Sequence, residues 1–409
     1  MWNAIIDTQP ADFWPPRTNR FWRAVLDPWR ALFLRHHYRV TEVRAEGTAW
    51  FHDCFAPGDG VLIAPNHSDD SDPLVMMEVG RQCGVPFHFM AAWQLFRPHW
   101  GLDGFFLKRM GVFSVDREGI DRRAFHQATE LLTAGRRLVV FPEGEVYHLN
   151  DRLTPLLDGV AFMALNGQRE LNTSRPRGRV WLVPAAIRYR YVEAIGPRLE
   201  TALTRLENRL RVKSPPGTPL AERVLRYGEH VLAIKEKECF GRCRDEHDLP
   251  RRISRLTTAL LERHELTYLG ASPAADTVPL RAKALRRRLL GTWTDKAADD
   301  ETRRRARAAL DDVQLAMQAY SYPGDYISES PTVERIAETI EKLEEDILGR
   351  SRPKGRRSAR VLFGEPIDLS QVAGSGRPRL VAAALTDQLA TAIKNLMSDG
   401  SVKKFTAAA

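Results

Sequence analysis

The strongest chemical cluster in the sequence is the segment Pro-Asn-His-Ser-Asp-Asp-Ser-Asp-Pro at 65–73, which follows a short apolar run and precedes helical periodicity. Catalytic groups often gather at such a junction between a strand and a helix. His67 and Asp72 are five residues apart, a spacing that a regular helix would not pair but that a loop entering a helix could. An aspartate that binds one imidazole nitrogen fixes the tautomer and leaves the other nitrogen free to take a proton. The pair therefore predicts a general base that deprotonates a substrate hydroxyl.

Two other interpretations of this segment stay open. Serine and aspartate favour helix starts, so the segment could be a capping loop with solvated acids. His67 and the three aspartates that follow it could instead bind a divalent cation, which would make the protein a metal-dependent hydrolase. Because no second cluster of His and Asp follows a matching strand, we expect no metal. Ser114 lies outside any Gly-x-Ser-x-Gly turn, which argues against a serine hydrolase.

The elements around the segment predict an α/β fold. Apolar runs at 61–65, 138–142 and 180–187 have the β-branched and aliphatic composition of buried parallel strands. Helical periodicity separates them at 72–83 and 121–135. We therefore expect a central, mostly parallel sheet flanked by helices.

A long helical insertion is predicted before the last core strand. Residues 193–348 are highly charged and helical in period, and no segment repeats at a fixed interval. A basic linker at 350–358 precedes a return strand at 360–363 and a closing helix at 380–398. Five amphipathic helices are expected within the insertion, at 219–238, 250–265, 278–290, 298–319 and 331–348.

This pattern divides the chain into four parts. They are an amphipathic N-terminal arm at 1–45, a core with the chemical motifs at 46–192, the helical insertion and basic linker at 193–358, and a final core strand and helix at 359–409. A separate middle domain is the alternative to an insertion.

The N-terminal arm carries an aromatic helix. Asn19 is its expected N-cap, and Pro28 should kink or split it. Such a helix can lie in a membrane interface or pack its apolar face on the domain. The apolar residues that recur at helical spacing are Phe21, Trp22, Val25, Leu26, Trp29, Leu32 and Phe33.

The amino-acid composition restricts the classes of partner that the protein is expected to bind. The 409 residues include 61 Lys and Arg against 52 Asp and Glu, a net charge of +9 that points to an anionic partner. No apolar run is long enough to span a membrane, and the four cysteines and the N-terminus suit a cytoplasmic protein. The basic patches at 286–288 and 303–307 alternate with acids, and no nucleic-acid signature is present. We therefore expect no nucleic acid as partner, but an anionic membrane surface that the protein binds peripherally.

Four blocks within residues 60–190 together resemble the motifs of the glycerophospholipid acyltransferase superfamily, which includes 1-acylglycerol-3-phosphate O-acyltransferases. His67 and Asp72 match the first motif, a His and an Asp with four residues between them. The blocks Gly-Val-Phe-Ser-Val-Asp-Arg at 111–117, Phe-Pro-Glu-Gly-Glu at 141–145 and Val-Pro-Ala-Ala-Ile at 183–187 resemble the second, third and fourth motifs, in the family's order.

The resemblance implies acyl transfer from acyl-CoA or acyl carrier protein to a lipid hydroxyl, in phospholipid biosynthesis or remodelling and without a further cofactor. His67 would be the general base and Asp72 would orient it. The acceptor oxygen would attack the thioester directly, and backbone N–H groups at the start of the helix after His67 would stabilise the oxyanion. A basic membrane-binding protein without catalysis is the alternative.

The resemblance also assigns the substrate contacts. Arg117, in the same motif as Phe113, would bind the phosphate of the acceptor, because a guanidinium suits a phosphate. Glu143 and Gly144 would shape the acceptor side of the pocket, and Pro184 the acyl side.

One departure from the family pattern bears on the acceptor. The third motif often continues with Thr after Glu-Gly, whereas this chain has Glu145. Asp69 and Asp70 add negative charge beside the base, which disfavours a nearby phosphate. Both features weaken the case for lysophosphatidate as the acceptor, which we expect to be a lysophospholipid or a related lipid.

Overall fold

The structure is a computed structural model. It describes residues 12–53, 55–97, 101–119, 121–242, 248–273, 276–373 and 377–398. The described chain forms two compact units. Ile195–Lys354 make up a helical unit, and residues 12–194 and 355–398 make up a unit with a central sheet.

The sheet unit contains the strands β1 (Val40–Glu46), β2 (Gly60–Pro65), β3 (Phe87–Ala92), β4 (Val112–Val115), β5 (Arg137–Val139), β6 (Val180–Tyr191), β7 (Arg357–Phe363) and β8 (Ile367–Asp368). Its helices are α1 (Arg20–His36), α2 (Trp50–Asp53), α3 (Asp72–Gln82), α4 (Leu102–Arg109), α5 (Arg122–Thr133), α6 (Gly159–Ser174) and α14 (Pro378–Ser398). The helical unit contains α7 (Gly196–Leu210), α8 (Leu220–Phe240), α9 (Leu249–Leu269), α10 (Val278–Thr294), α11 (Asp300–Tyr320), α12 (Tyr326–Glu329) and α13 (Val333–Leu348).

The strands lie in the order β1-β7-β6-β2-β5-β3-β4, with β8 beside β6. The neighbours from β6 to β4 are parallel, β7 is antiparallel to β6, and β1 is parallel to β7. This architecture confirms the predicted α/β fold with a mostly parallel sheet and a long helical segment. The short β8 follows the strand that was expected to be the last.

Strand β2 lies in the middle of the sheet, and all six of its residues are buried. Alternate side chains belong to different layers: Leu62 packs in the cluster with α5, α6 and α14, whereas Val61 and Ile63 pack with α3. Burial on both faces is what a continuous apolar run indicates. The carboxyl end of β2 leads directly into the chemical segment, so a rigid strand holds it.

Helix α1 begins as predicted. The side chain of Asn19 accepts the backbone N–H of Trp22 at 2.7 Å, which caps the helix. Pro28 lies inside α1, and the helix continues past it to His36, so the expected split does not occur.

The helical unit contains an internal repeat, and the expectation of no fixed interval was wrong. A buried glutamate near the end of one helix pairs with an arginine sixteen positions further on, which is the fourth residue of the next helix. This pairing recurs every 29 positions along the chain. The three pairs are Glu207–Arg223, Glu236–Arg252 and Glu265–Arg281. The turns between the helices differ in composition, which hides the repeat in the sequence.

The chain returns to the sheet at Arg357, which begins β7 and pairs with Tyr191 at the end of β6. The basic linker predicted at 350–358 therefore ends inside a strand. Among the described residues, no helix is both long and apolar enough to cross a membrane.

Candidate active site

The turn between β2 and α3 is fixed at its first residue. The side chain of Asn66 is buried and bonds both backbone groups of Ile187: it accepts the N–H at 2.6 Å and donates to the carbonyl at 3.1 Å. These bonds tie the end of β2 to β6. The residues that follow Asn66 therefore start from a defined position.

The turn brings His67 and Asp72 together. Nδ1 of His67 lies 2.9 Å from Oδ2 of Asp72, which is the first residue of α3 and is fully buried. The imidazole stacks on the ring of Phe141 with 4.0 Å between centroids. A carboxylate accepts hydrogen bonds, so Nδ1 carries the proton and Nε2 is left as the basic nitrogen.

Three further donors hold Asp72. The backbone N–H groups of Ser68 and Asp69 donate to Oδ2 at 2.8 and 2.9 Å, and the hydroxyl of Tyr189 donates to Oδ1 at 2.6 Å. Burial raises the pKa of Asp72, and the hydrogen bonds from His67 and Tyr189 oppose that rise. Four donors directed at one carboxyl group favour its ionised form.

The same bonds bear on the oxyanion. Backbone N–H groups at the start of the helix after His67 were expected to stabilise it, and two of the N–H groups that lie between His67 and that helix, those of Ser68 and Asp69, are already accepted by Asp72. The hydroxyl of Ser68 is buried, and it has no hydrogen-bond partner among the described residues. This hydroxyl, one residue from His67 in the chain, is therefore a buried hydrogen-bonding group that no described residue engages.

The negative charge of Asp69 is balanced. Arg357 donates to both of its carboxylate oxygens, at 2.7 and 3.4 Å, and Ser71 donates to it through its N–H and its hydroxyl. Burial alone would raise the pKa of Asp69, but Arg357 and Ser71 outweigh it and hold that pKa well below its usual range. The repulsion expected of Asp69 toward a phosphate is therefore offset by a guanidinium.

Glu143 joins the third motif to the first. Its carboxylate accepts the backbone N–H of His67 at 2.6 Å, the N–H of Thr154 at 3.0 Å and the hydroxyl of Thr154. Burial raises the pKa of Glu143 to about 7. Gly144 follows with φ +76°, and a Cβ there would stand 2.7 Å from Leu157, so a glycine is needed at this bend.

Arg117 is exposed and bonds the third motif. It donates to the carbonyl of Gly144 at 3.3 Å and to Oε2 of Glu145 at 3.2 Å. The residue expected to bind phosphate is thus paired with the residue that departs from the family pattern.

Two candidate residues lie within the sheet. Phe113 is fully buried in β4 and packs in the core with α5. Pro184 is buried in β6 opposite Ala64, and its carbonyl accepts the N–H of Gly364 at 2.9 Å. Both side chains contribute to the sheet interior, whereas Asp72 and Glu143 each bond His67 directly.

Sequence reasoning missed Tyr189 and Arg357. Tyr189 lies two residues beyond the predicted strand 180–187, because β6 extends to Tyr191. Alternation of aromatic and basic residues at the end of this strand was the available signal. Arg357 sits in a basic tract whose sequence does not separate it from its neighbours.

In the sheet unit, the carboxylates of Asp72 and Asp69, which a metal ion would need as ligands, already bond other side chains. Asp72 binds His67 and Tyr189, and Asp69 binds Arg357. Among the residues that the structure describes, no group of three or more His, Cys, Asp or Glu side chains could hold a metal ion.

Comparison with known proteins identifies the region that carries this site. A family model described as Acyltransferase matches residues 43–188, which run from β1 into β6. No curated protein matches the chain. The matched region contains His67 and Asp72 but ends before Tyr189 and Arg357.

Proposed function

We propose that the chain is an acyltransferase that transfers a fatty acyl group from acyl-CoA or acyl carrier protein to a hydroxyl of a lysophospholipid or related lipid, and the match of residues 43–188 to the Acyltransferase family model supports this proposal. Acyl transfer is the general activity that the family supports. The observation that carries the proposal is the bond between Nδ1 of His67 and Oδ2 of Asp72 at 2.9 Å.

The proposed reaction needs one base. Nε2 of His67 takes the proton of the acceptor hydroxyl while the acceptor oxygen attacks the thioester carbonyl. Asp72 stabilises the imidazolium that forms. Collapse of the tetrahedral intermediate breaks the carbon–sulfur bond, and the leaving thiolate takes the proton from His67. The products are an ester and a free thiol.

The developing oxyanion requires a donor. Because Asp72 accepts the N–H groups of the turn, we assign this role to the hydroxyl of Ser68, which is buried and adjacent to His67 in the chain.

The acceptor is proposed to bind beside the third motif, near Glu145. A phosphate on the acceptor would have to compete with Glu145 for Arg117. This competition lowers the affinity for an acceptor such as lysophosphatidate and favours lipids that depend less on a phosphate. Such a preference would differ from the acceptor choice of 1-acylglycerol-3-phosphate acyltransferases.

Helix α1 supports peripheral binding to an anionic membrane on the cytoplasmic side. Phe21 and Trp29 are 66% and 71% exposed, and Leu32 is also exposed. Arg30, in contrast, is buried and donates to Glu78 at 2.5 Å. Leu26 and Leu34 are buried on the same side as Arg30, so one face of α1 packs on the sheet unit. The aromatic residues on its other face stay exposed, which favours contact with a membrane.

Basic residues and the neighbouring helix α4 extend the exposed apolar face of α1. Arg20 and Arg35 are exposed at the two ends of α1, where they can meet anionic headgroups. Leu102 and Phe106 of α4 are exposed as well. Helix α4 touches α1 through Phe105, whose ring meets Trp22 edge to face at 5.2 Å. The proposed membrane surface therefore includes both helices.

The test is acyl transfer by the His67→Ala variant. Purified protein is incubated with acyl-CoA and a panel of lysophospholipids and neutral lipid alcohols, thiol release is followed by absorbance, and the acylated product is identified by mass spectrometry. We expect turnover with the wild type and a loss of about 10³-fold or more in the variant, because the acceptor then lacks its base.

His126→Ala is the matched control, because that histidine is exposed on α5. It should retain wild-type turnover. Full activity of His67→Ala would overturn the proposed base. Vesicle binding without turnover on any acceptor would instead favour a membrane-binding protein without catalysis.

A further inference from the structure

The hydrogen-bonded groups behind the base extend beyond the residues that match the family model. Tyr189 lies on β6 and Arg357 on β7, and both follow the matched range 43–188. Their strands are antiparallel neighbours. The ring of Tyr189 lies under the guanidinium of Arg357, 4.8 Å from ring centroid to Cζ. The two side chains thus form one supporting surface beneath the turn.

Tyr189 restrains the carboxylate of the dyad. Its hydroxyl donates to Oδ1 of Asp72 at 2.6 Å, while His67 bonds the other oxygen, Oδ2, at 2.9 Å. The phenol is buried, and burial together with Asp72 and Asp69 raises its pKa well above the ordinary value, so it stays a donor. Asp72 is held on both oxygens and cannot rotate away from the imidazole without losing a buried bond.

Arg357 restrains the turn through Asp69. Its guanidinium bonds both oxygens of Asp69 and donates to the carbonyl of Tyr38 at 3.0 Å. Asp69 in turn accepts the N–H and the hydroxyl of Ser71, and the hydroxyl oxygen of Ser71 lies 3.0 Å from that of Tyr189. The turn that presents two N–H groups to Asp72 is therefore anchored to β7.

Charge makes Arg357 necessary at this position. Asp72 is fully buried, and in the same short turn the side chain of Asp69 is 16% exposed and pairs with the buried side chain of Arg357. Without the guanidinium, Asp69 would be a half-buried anion that has lost its paired cation, which is unfavourable. The turn would relax to expose it, and Asp72 would move with the turn.

We propose that Tyr189 and Arg357 are positioning residues for the base: Tyr189 fixes the carboxylate of Asp72, and Arg357 fixes, through Asp69, the turn that carries it. This inference rests on the proposed acyl transfer at the same site. Arg357 is supplied by the chain where it returns from the helical unit, so the site is complete only after that return.

The first experiment measures kcat and KM for Tyr189→Phe, Arg357→Met and the double variant Asp69→Asn/Arg357→Met. Tyr189→Phe should lower kcat about 10-fold and Arg357→Met about 100-fold, both at unchanged KM, within the range of coupling between neighbouring residues. The double variant should recover at least about 10-fold over Arg357→Met, because it removes both charges of the pair. Arg360→Met is the matched control, since Arg360 lies on the same strand and pairs with Glu46; it should keep wild-type kcat.

Wild-type kcat in Tyr189→Phe and Arg357→Met would overturn the proposal. A loss that the double variant does not relieve, accompanied by a lower melting temperature, would show that Arg357 only supports the fold and would overturn it as well.

A second readout does not depend on the acceptor. The hydrogen-bonded Nδ1–H proton of His67 gives a downfield proton NMR resonance, assigned by its absence in His67→Ala. We expect this resonance to shift or broaden in Tyr189→Phe and Arg357→Met and to stay in place in Arg360→Met. An unmoved resonance in both variants refutes the positioning role. If the wild type turns over no acceptor, the proposed function fails, while this measurement still tests the support of the base.

Discussion

Glu143 accepts the backbone N–H of His67 at 2.6 Å, so a buried acid from the third motif holds the peptide that carries the proposed base in the first motif. The imidazole of His67 also stacks on Phe141, two residues before that acid. Strands β2 and β5 are parallel neighbours, which brings their carboxyl ends together. The contact explains physically why two motifs that are distant in sequence act at one place.

The pKa of Glu143 makes stability depend on pH. Burial raises it from 4.5 to about 7, so between these values the unfolded chain ionises while the native chain keeps the proton. Glu143 therefore contributes stability that is fully present below pH 4.5 and is lost as the pH rises toward 7, about 3 kcal/mol in all. Glu143→Gln should remove this slope, measured by urea unfolding across the interval. Glu130→Gln, on the exposed side of α5, is the control. Parallel stability curves for wild type and Glu143→Gln would contradict the assignment.

Ser68→Ala tests the oxyanion donor. The hydroxyl makes no hydrogen bond among the described residues, so its removal should leave the melting temperature nearly unchanged. We expect kcat to fall about 10²-fold at constant KM, because the lost bond would form only in the transition state. Steady-state kinetics with saturating acyl-CoA measure both constants. An unaltered kcat would place the donor elsewhere in the site.

Glu145→Thr should change the choice of acceptor. The exchange frees Arg117 from its carboxylate partner, so KM for a phosphate-bearing lysolipid should fall. Because Arg117 is exposed, we expect a change of only about 2- to 5-fold. KM for an uncharged lipid alcohol should stay constant. Adding Arg117→Gln should abolish the gain, and a gain that persists in the double variant would exclude Arg117 as the phosphate ligand.

Trp29→Ser tests the membrane surface of α1. Flotation with vesicles rich in phosphatidylglycerol should show a bound fraction reduced several-fold, because the exposed indole contributes much of the apolar area. Leu266→Ser is the matched control, since Leu266 is 73% exposed on α9 of the helical unit. Equal losses in the two variants would indicate a general effect of surface hydrophobicity and argue against α1 as the docking helix.

Local sequence pattern predicted the strands and helices better than it predicted the contacts between them. The apolar run at 61–65 identified β2 because a central strand is buried on both faces, and Asn19 identified the start of α1 through its capping side chain. The five-residue spacing of His67 and Asp72 was correctly interpreted as a loop entering a helix. Each of these inferences depends on residues close together in the chain.

Local sequence pattern could not predict the orientation of helix α1 or the pairing of residues that are distant in the chain. The periodicity of α1 defines an apolar stripe but not which side faces water, and the structure turns Trp29 outward and Arg30 inward. Arg357 is 288 residues from Asp69, and only the fold brings them together. The 29-residue recurrence of Glu–Arg pairs escaped detection because it depends on two charged positions per repeat.

The pairing of Tyr191 with Arg357 joins the two points of the sheet between which the helical unit is inserted in the chain. The chain leaves the sheet at the end of β6 and re-enters it opposite the same point, as a simple β-hairpin would. The helical unit is therefore inserted in the chain between two strand ends that a hairpin turn of a few residues could join. Such a location tolerates the insertion, duplication or replacement of a whole cassette during evolution.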